Sequence, residues 1–95
     1  MTYFTIQDIK NANRAAGHHF FSPDTMRFFG SRILRGVIGG KYFITSEQRE
    51  YDTPRRYTVR VCDDRGHIDT VGDFHSYDTP AQARAAARKI AKENA

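Results

Sequence analysis

The chain has one cysteine, no tryptophan, three prolines and no long hydrophobic run. A single cysteine excludes an internal disulfide and every Cys-x2-Cys zinc motif. The absence of a long apolar run argues against a membrane-spanning helix, and the first residues lack the basic and apolar regions of a secretory signal peptide. These absences predict a cytosolic protein in which Cys62 is a buried, unreactive thiol on a strand.

Positive charge, by contrast, is in excess. Fifteen Lys and Arg face eleven Asp and Glu, for a net charge of +4, and eleven of the fifteen cations are arginine. The planar guanidinium suits phosphate and carboxylate recognition better than an ammonium group does. This excess indicates either an acidic partner or simply a charge that keeps a small domain soluble. The 95 residues, 39% of them hydrophobic, predict a single domain over 1–95 with little room for an enclosed active site.

Three helices are predicted from their start signals. Thr5 is an N-cap for a helix over Ile6–Ala16, with Asp8 at the capping-box position. Phe4 and Ile9 occupy the two positions of a hydrophobic staple. A second, short helix starts at Ser22-Pro23 and stops at Gly30, and a third starts at Thr79-Pro80 with an alanine-rich apolar stripe. The phenylalanines of the second segment are expected to anchor it to the core: Phe20, Phe21, Phe28 and Phe29.

The middle of the chain alternates with a period of two, which is typical of strands. The predicted strands are Lys41–Ser46, Arg56–Cys62 and His67–Phe74, with Ile33–Ile38 as a further strand or a connector. Asp63–Gly66 is a hairpin turn, and Glu47–Arg55 is an exposed loop. The predicted fold class is α+β, an antiparallel β-meander of three or four strands with an N-terminal helix, a short second helix and a C-terminal helix packed on one face.

No catalytic or metal-binding set is predicted. The histidines have no zinc-site spacing, and His67 with Asp69 on one strand face indicates a surface ion pair. Asp63-Asp64 is a turn former, and the glycines before Lys41 do not match a phosphate-binding loop. The sequence therefore predicts no enzyme, no metal and no cofactor.

A cationic binding surface is the remaining candidate. The residues predicted to bind a partner are Arg27, Arg32, Arg55, Arg56 and Arg60, with His18 and His19 as rim contacts. Desolvated arginines would carry the binding energy and exposed ones would steer association. The alternative is direct nucleic-acid binding, in which basic and aromatic side chains hold phosphates and stack bases. The residues for that alternative are Arg84, Arg88, Lys89, Lys92 and Tyr51.

Four segments resemble a family of small hypothetical proteins carried by bacteriophages and related mobile elements. The resemblance spans most of residues 4 to 91 and lies in Gly17–Arg32, Tyr42–Glu47, Pro54–Arg60 and Gly66–Phe74. It implies a phage-encoded accessory protein in a bacterial cytoplasm, and it transfers no functional residue. We therefore expect a non-enzymatic protein that binds and modulates a host protein or nucleoprotein complex, as an anti-defence, anti-CRISPR-like protein would. We do not expect it to bind a membrane. The partner's identity and the oligomeric state are left open.

Overall fold

The computed structural model describes residues 2–29, 32–48, 53–72 and 76–94, without the side chains of residues 28 and 29. Its elements are α1 (Ile6–Ala15), α2 (Pro23–Phe29), β1 (Arg32–Ile33), β2 (Tyr42–Glu47), β3 (Arg56–Cys62), β4 (Ile68–Val71) and α3 (Pro80–Glu93). The four strands form one antiparallel sheet in the order β1-β2-β3-β4. The predicted α+β meander is confirmed. No helix among the described residues is long and apolar enough to cross a membrane.

The first and last helices begin at the predicted caps. The Thr5 hydroxyl accepts from the backbone N–H of Asp8, whose carboxylate accepts from the backbone N–H of Thr5. At α3, Thr79 accepts from the backbone N–H of Gln82. Each cap accepts a hydrogen bond from a backbone N–H that has no partner within the helix. The start of each helix is therefore determined by residues close to it in the chain.

The predicted hydrophobic staple of α1 is wrong. Phe4 is 81% exposed, whereas Ile9 is fully buried. Tyr3, the preceding residue, is buried instead, and its hydroxyl donates to the backbone oxygen of Asp63 at 2.7 Å. The aromatic ring that closes this end of α1 is therefore one residue earlier, and Phe4 points outward.

The sheet has two buried faces. On the first, called the α3 face, Tyr42, Ile44 and Val59 pack against Ala83 and Ala87 of α3. On the second, called the α1 face, the core is formed by Tyr3, Ile9, Phe43 and Cys62, with Phe20 and Phe21 packed against it. Residues alternate between the two faces, since side chains on a strand point to opposite sides in turn.

The two long helices are therefore on opposite faces. The prediction placed the helices over one face of the sheet. In the structure α3 covers one face, whereas α1 packs on the other face through Ile9. The strand Arg56–Cys62 alternates as predicted. Both of its faces are covered, so neither is the solvent-exposed face of an open sheet. The anchoring of the second segment is confirmed for Phe20 and Phe21, and Phe28 and Phe29 lie outside the described side chains.

The strand boundaries differ from the predictions at three places. β2 continues to Glu47, which is fully buried, so the exposed loop does not begin there. β1 contains only two residues, followed by an isolated bridge between Ile38 and Tyr42. β4 covers Ile68–Val71, and the rest of its predicted length includes residues 73 and 74, which lie outside the described part.

The hairpin between β3 and β4 positions α1. The Asn13 side-chain amide donates to the backbone oxygen of Gly66 at 2.8 Å, and Asn13 is buried. Gly66 has φ +79°, and a Cβ at this position would collide with the carbonyl oxygen of Ala12. Only glycine allows both the turn conformation and this close approach of the helix backbone.

Candidate binding surface

Arg60, predicted to bind a partner, is inside the protein. It is 8% exposed, and its Nη2 lies 3.3 Å from Oε1 of Glu47. Its Nε donates to Thr45 and its Nη1 to Thr70. Burial lowers the pKa of Arg60, an effect that the neighbouring Glu47 opposes. The structure therefore places Arg60 away from the surface on which it was predicted to lie, because its guanidinium is hydrogen-bonded to polar groups within the sheet.

Glu47 is the centre of this polar cluster, which also contains Thr45, Thr58 and Arg60. Its Oε1 accepts from Thr45 at 3.1 Å and from Thr58 at 2.8 Å, whereas Oε2 is buried without a hydrogen-bond partner. The ring of Phe20 lies 5.4 Å from the Arg60 guanidinium carbon. This cluster was not among the predicted features. The available signal was the alternation that puts polar residues of two adjacent strands on one face.

Arg32 and Arg55 are brought together at one end of the sheet. Arg32 is opposite Ser46 in the β1–β2 register. Arg55 donates from Nε to the Ser46 hydroxyl at 3.0 Å and from Nη2 to the Ser46 backbone oxygen at 2.8 Å. Burial lowers the pKa of Arg55 and the positive charge of Arg32 lowers it further, whereas Glu47 and Tyr57 oppose this shift. Two like charges are thus held close together, and we call Arg32, Arg55 and the adjacent Arg56 the arginine edge.

The other arginines of the predicted site differ in what they contact. Nη1 of Arg56 lies 2.6 Å from Oδ1 of Asp78, with both side chains well exposed, so its charge is partly neutralised. Arg27 is an exposed residue in the last turn of α2. Of the predicted set, the structure brings together Arg32 and Arg55 at Ser46, and Arg56 is the next residue along the chain.

The two histidines are exposed but lie at the other end of the sheet. The His18 ring is 5.3 Å from the ring of His67, in the hairpin that follows β3. Arg56 and His67 are separated by the whole of β3, which extends about 20 Å at ~3.3 Å per residue. His18 and His19 therefore do not form a rim of the arginine edge. Among the described residues, no group of three His, Cys, Asp or Glu could hold a metal ion.

His67 contacts two carboxylates of its own hairpin. Its Nδ1 lies 3.4 Å from Asp69 and 4.0 Å from Asp63. The predicted ion-pair geometry between His67 and Asp69 is present, at an exposed position. Cys62, nearby, is buried, and burial raises the pKa of its thiol, which disfavours the reactive thiolate.

The residues predicted for nucleic-acid binding lie on α3, except one. Arg88, Lys89 and Lys92 are exposed, and Arg84 is half-buried. Tyr51 lies outside the described residues. The basic side of α3 is turned away from its alanine stripe, which faces the sheet.

An open groove of about 720 Å³ is a further feature of the surface. It lies between the first turn of α1 and the outer edge of β1, and its lining includes Phe4, Ile6, Lys10, Leu34 and Arg35. No sequence pattern indicates this groove, because the sequence predicts that Phe4 packs against Ile9 in a hydrophobic staple.

A protein-family model matches most of the chain. Residues 5–88 match a family model described as a family of unknown function (DUF7447). The chain belongs to this family. Searches among curated proteins and among solved structures found no match. The matched residues include α1, α2, the whole sheet and more than half of α3.

Proposed function

We propose that this member of the family is a non-enzymatic binding protein that contacts and modulates a host protein or nucleoprotein complex. The observation that supports the proposal is the close pair of Arg32 and Arg55 at Ser46. Repulsion between the two cations costs free energy in the unbound protein, and the negative charge of Glu47 offsets part of this cost. A carboxylate or phosphate bound between two arginines relieves this cost and gains charge-assisted hydrogen bonds. The chemistry that the arginine edge favours is therefore an acidic group on a partner.

The setting of this proposal comes from the resemblance to proteins of bacteriophages and related mobile elements. Such a protein would act in a bacterial cytoplasm as an accessory factor, and blocking a defence complex in the manner of an anti-CRISPR protein fits a small chain with a charged surface. The net charge of +4 favours encounter with acidic proteins and with complexes that carry nucleic acid.

The test is affinity capture from bacterial lysate with matched variants. The edge variant carries Arg32→Gln and Arg55→Gln, and the control carries Arg88→Gln and Lys92→Gln on α3, so that both lose the same charge. We expect one protein to be captured by wild type and by the control, with or without nuclease, and to be lost with the edge variant. Circular dichroism checks that both variants are folded. Equal capture by the two variants would contradict the proposal.

Direct nucleic-acid binding is the second candidate, favoured by the exposed cations Arg88, Lys89 and Lys92 on one helix. Phosphate contacts release counterions, so the logarithm of the binding constant on duplex DNA should fall by about 0.9 per contact for each tenfold rise in salt. The same α3 variant should then lose the mobility shift of a labelled oligonucleotide, whereas the edge variant keeps most of it. No shift at low salt for DNA or RNA would remove this candidate.

A further inference from the structure

The groove beside Phe4 combines an exposed aromatic ring with the edge of the sheet. Phe4 is 81% exposed, and Ile6 and Leu34, which also line the groove, are partly exposed. Large apolar side chains gathered at one open site are uncommon on a small monomer, and they mark places where another molecule binds. The groove therefore has the apolar content of a docking site.

The backbone along this groove is arranged for pairing. Leu34 donates its backbone N–H to Ile44 at 2.9 Å, which makes Leu34 and Ile44 a hydrogen-bonded pair. In an antiparallel ladder the neighbouring pair, Ile33 and Thr45, is then a non-hydrogen-bonded pair. The N–H and C=O of Ile33 consequently point away from β2, towards the outer edge. In the described part of the chain β1 is the end strand of the sheet, so no described strand pairs with that edge.

The charges at the groove have one sign. Lys10 and Arg35 both line it, and Arg32 of the arginine edge directly precedes Ile33. The acid of the same helical turn, Asp8, has its Oδ2 occupied by the backbone N–H groups of Phe4 and Thr5. The groove is thus apolar at its centre and cationic at its sides, and it continues along the chain into the arginine edge.

From these three features we infer that the groove binds an extended, acidic segment of a partner protein, which adds as a strand to the outer edge of β1. An apolar side chain of that segment packs beside Phe4, and its carboxylates contact Lys10 and Arg35. This is the strand-addition mode of peptide recognition, in which main-chain hydrogen bonds provide affinity and side-chain pockets provide specificity. The inference rests on the proposed binding function and names the kind of partner that it would take.

The test uses a fluorescein-labelled peptide of about seven residues that alternates leucine and glutamate, titrated with the protein at low salt. Two further peptides serve as controls, one with lysine in place of each glutamate and one with proline in place of the central leucine. We expect saturable binding of the glutamate peptide by anisotropy. We also expect no binding of the lysine peptide, and loss of binding with proline, which cannot donate a ladder hydrogen bond.

Matched variants of the protein locate the site. Phe4→Ser and Arg35→Glu should each weaken binding of the glutamate peptide about tenfold, which is typical of a residue at the centre of an interface. Arg88→Glu changes the net charge by the same amount as Arg35→Glu but lies on α3, and it should change the affinity by less than about twofold. Equal weakening by the two charge reversals would mean non-specific attraction and would overturn the inference.

Two other results would also overturn it. Absence of glutamate-peptide binding to wild type is one. The second is a dimer of the free protein that Phe4→Ser converts to a monomer in sedimentation, because the groove would then be filled by a second copy of the chain. If the peptide fails while capture from lysate still depends on Arg32 and Arg55, only the groove assignment falls and the proposed function stands.

Discussion

The two faces of the sheet are closed in different ways. The α3 face is apolar, and its main residues Tyr42, Ile44 and Val59 lie against an alanine stripe of α3. Small side chains on the helix let it lie close to the sheet, so packing alone closes this face. Nothing in this arrangement requires a specific polar partner.

The α1 face is divided along its length. Near the hairpin, Phe43 and Cys62 pack against Ile9 of α1. Towards the other end it carries the polar cluster around Glu47 and Arg60, in which each group depends on a defined partner. The contrast shows that the same two strands carry two kinds of surface. One side is apolar and needs only close packing, whereas the other has polar groups that need hydrogen-bond partners at defined positions.

The largest effect is expected at the buried ion pair of the α1 face. Arg60→Met should destabilise the protein by about 3–5 kcal/mol, because it leaves the Glu47 carboxylate buried without its charge partner. Urea unfolding followed by circular dichroism measures the change. The double variant Glu47→Leu with Arg60→Met should recover much of the loss, since no buried charge remains. If the single variant loses less than about 1 kcal/mol, the two faces do not differ in the way described.

The docking of α1 is the next most sensitive point. Gly66→Ala should cost about 2–4 kcal/mol, because the new methyl group meets the Ala12 carbonyl and the residue has φ +79°. Gly72→Ala is the matched control, since Gly72 has φ +74° with nothing within 4 Å of its virtual Cβ. That variant should lose about 1 kcal/mol from the backbone conformation alone. Equal losses in thermal unfolding would show that α1 does not approach the hairpin closely.

A smaller loss is expected on the α3 face. Ala87→Leu should destabilise by about 1–3 kcal/mol, because Ala87 is fully buried against the sheet and the helix must move to admit a larger side chain. Ala85→Leu, at an exposed position of the same helix, should change the free energy of unfolding by less than about 0.5 kcal/mol. A similar loss for both would mean that close packing does not govern this face.

The smallest effect concerns pH and the hairpin beside α1. Backbone hydrogen bonds from His67 and Arg65 lower the pKa of Asp63 below its ordinary 3.8. A depressed pKa stabilises the folded state at pH values above the unfolded pKa, and this stabilisation is lost as the pH falls through the folded value. The stability difference between wild type and Asp63→Asn should therefore shrink as the pH falls from about 6 to about 2. A difference that is constant over this range would contradict the assignment.

Local signals predicted much of the fold. Thr5, Thr79 and the strand Arg56–Cys62 are where the sequence placed them, because caps and period-two patterns depend on residues close in the chain. The site was predicted less well. Arg60 alternates correctly on its strand, yet its surroundings include Glu47 of the neighbouring strand and Phe20 from another segment.

The amino-acid sequence by itself determined the order of helices and strands, the hairpin at Asp63–Gly66 and the excess of arginine. The excess of arginine is a property of the composition, whereas the elements and the hairpin follow from propensities and spacings within a few residues. Only the tertiary structure decided which arginines are buried, that α1 and α3 lie on opposite faces, and that Phe4 stays outside. Those outcomes depend on contacts between residues far apart in the chain, and a strand's alternation separates two faces without saying what will cover either one.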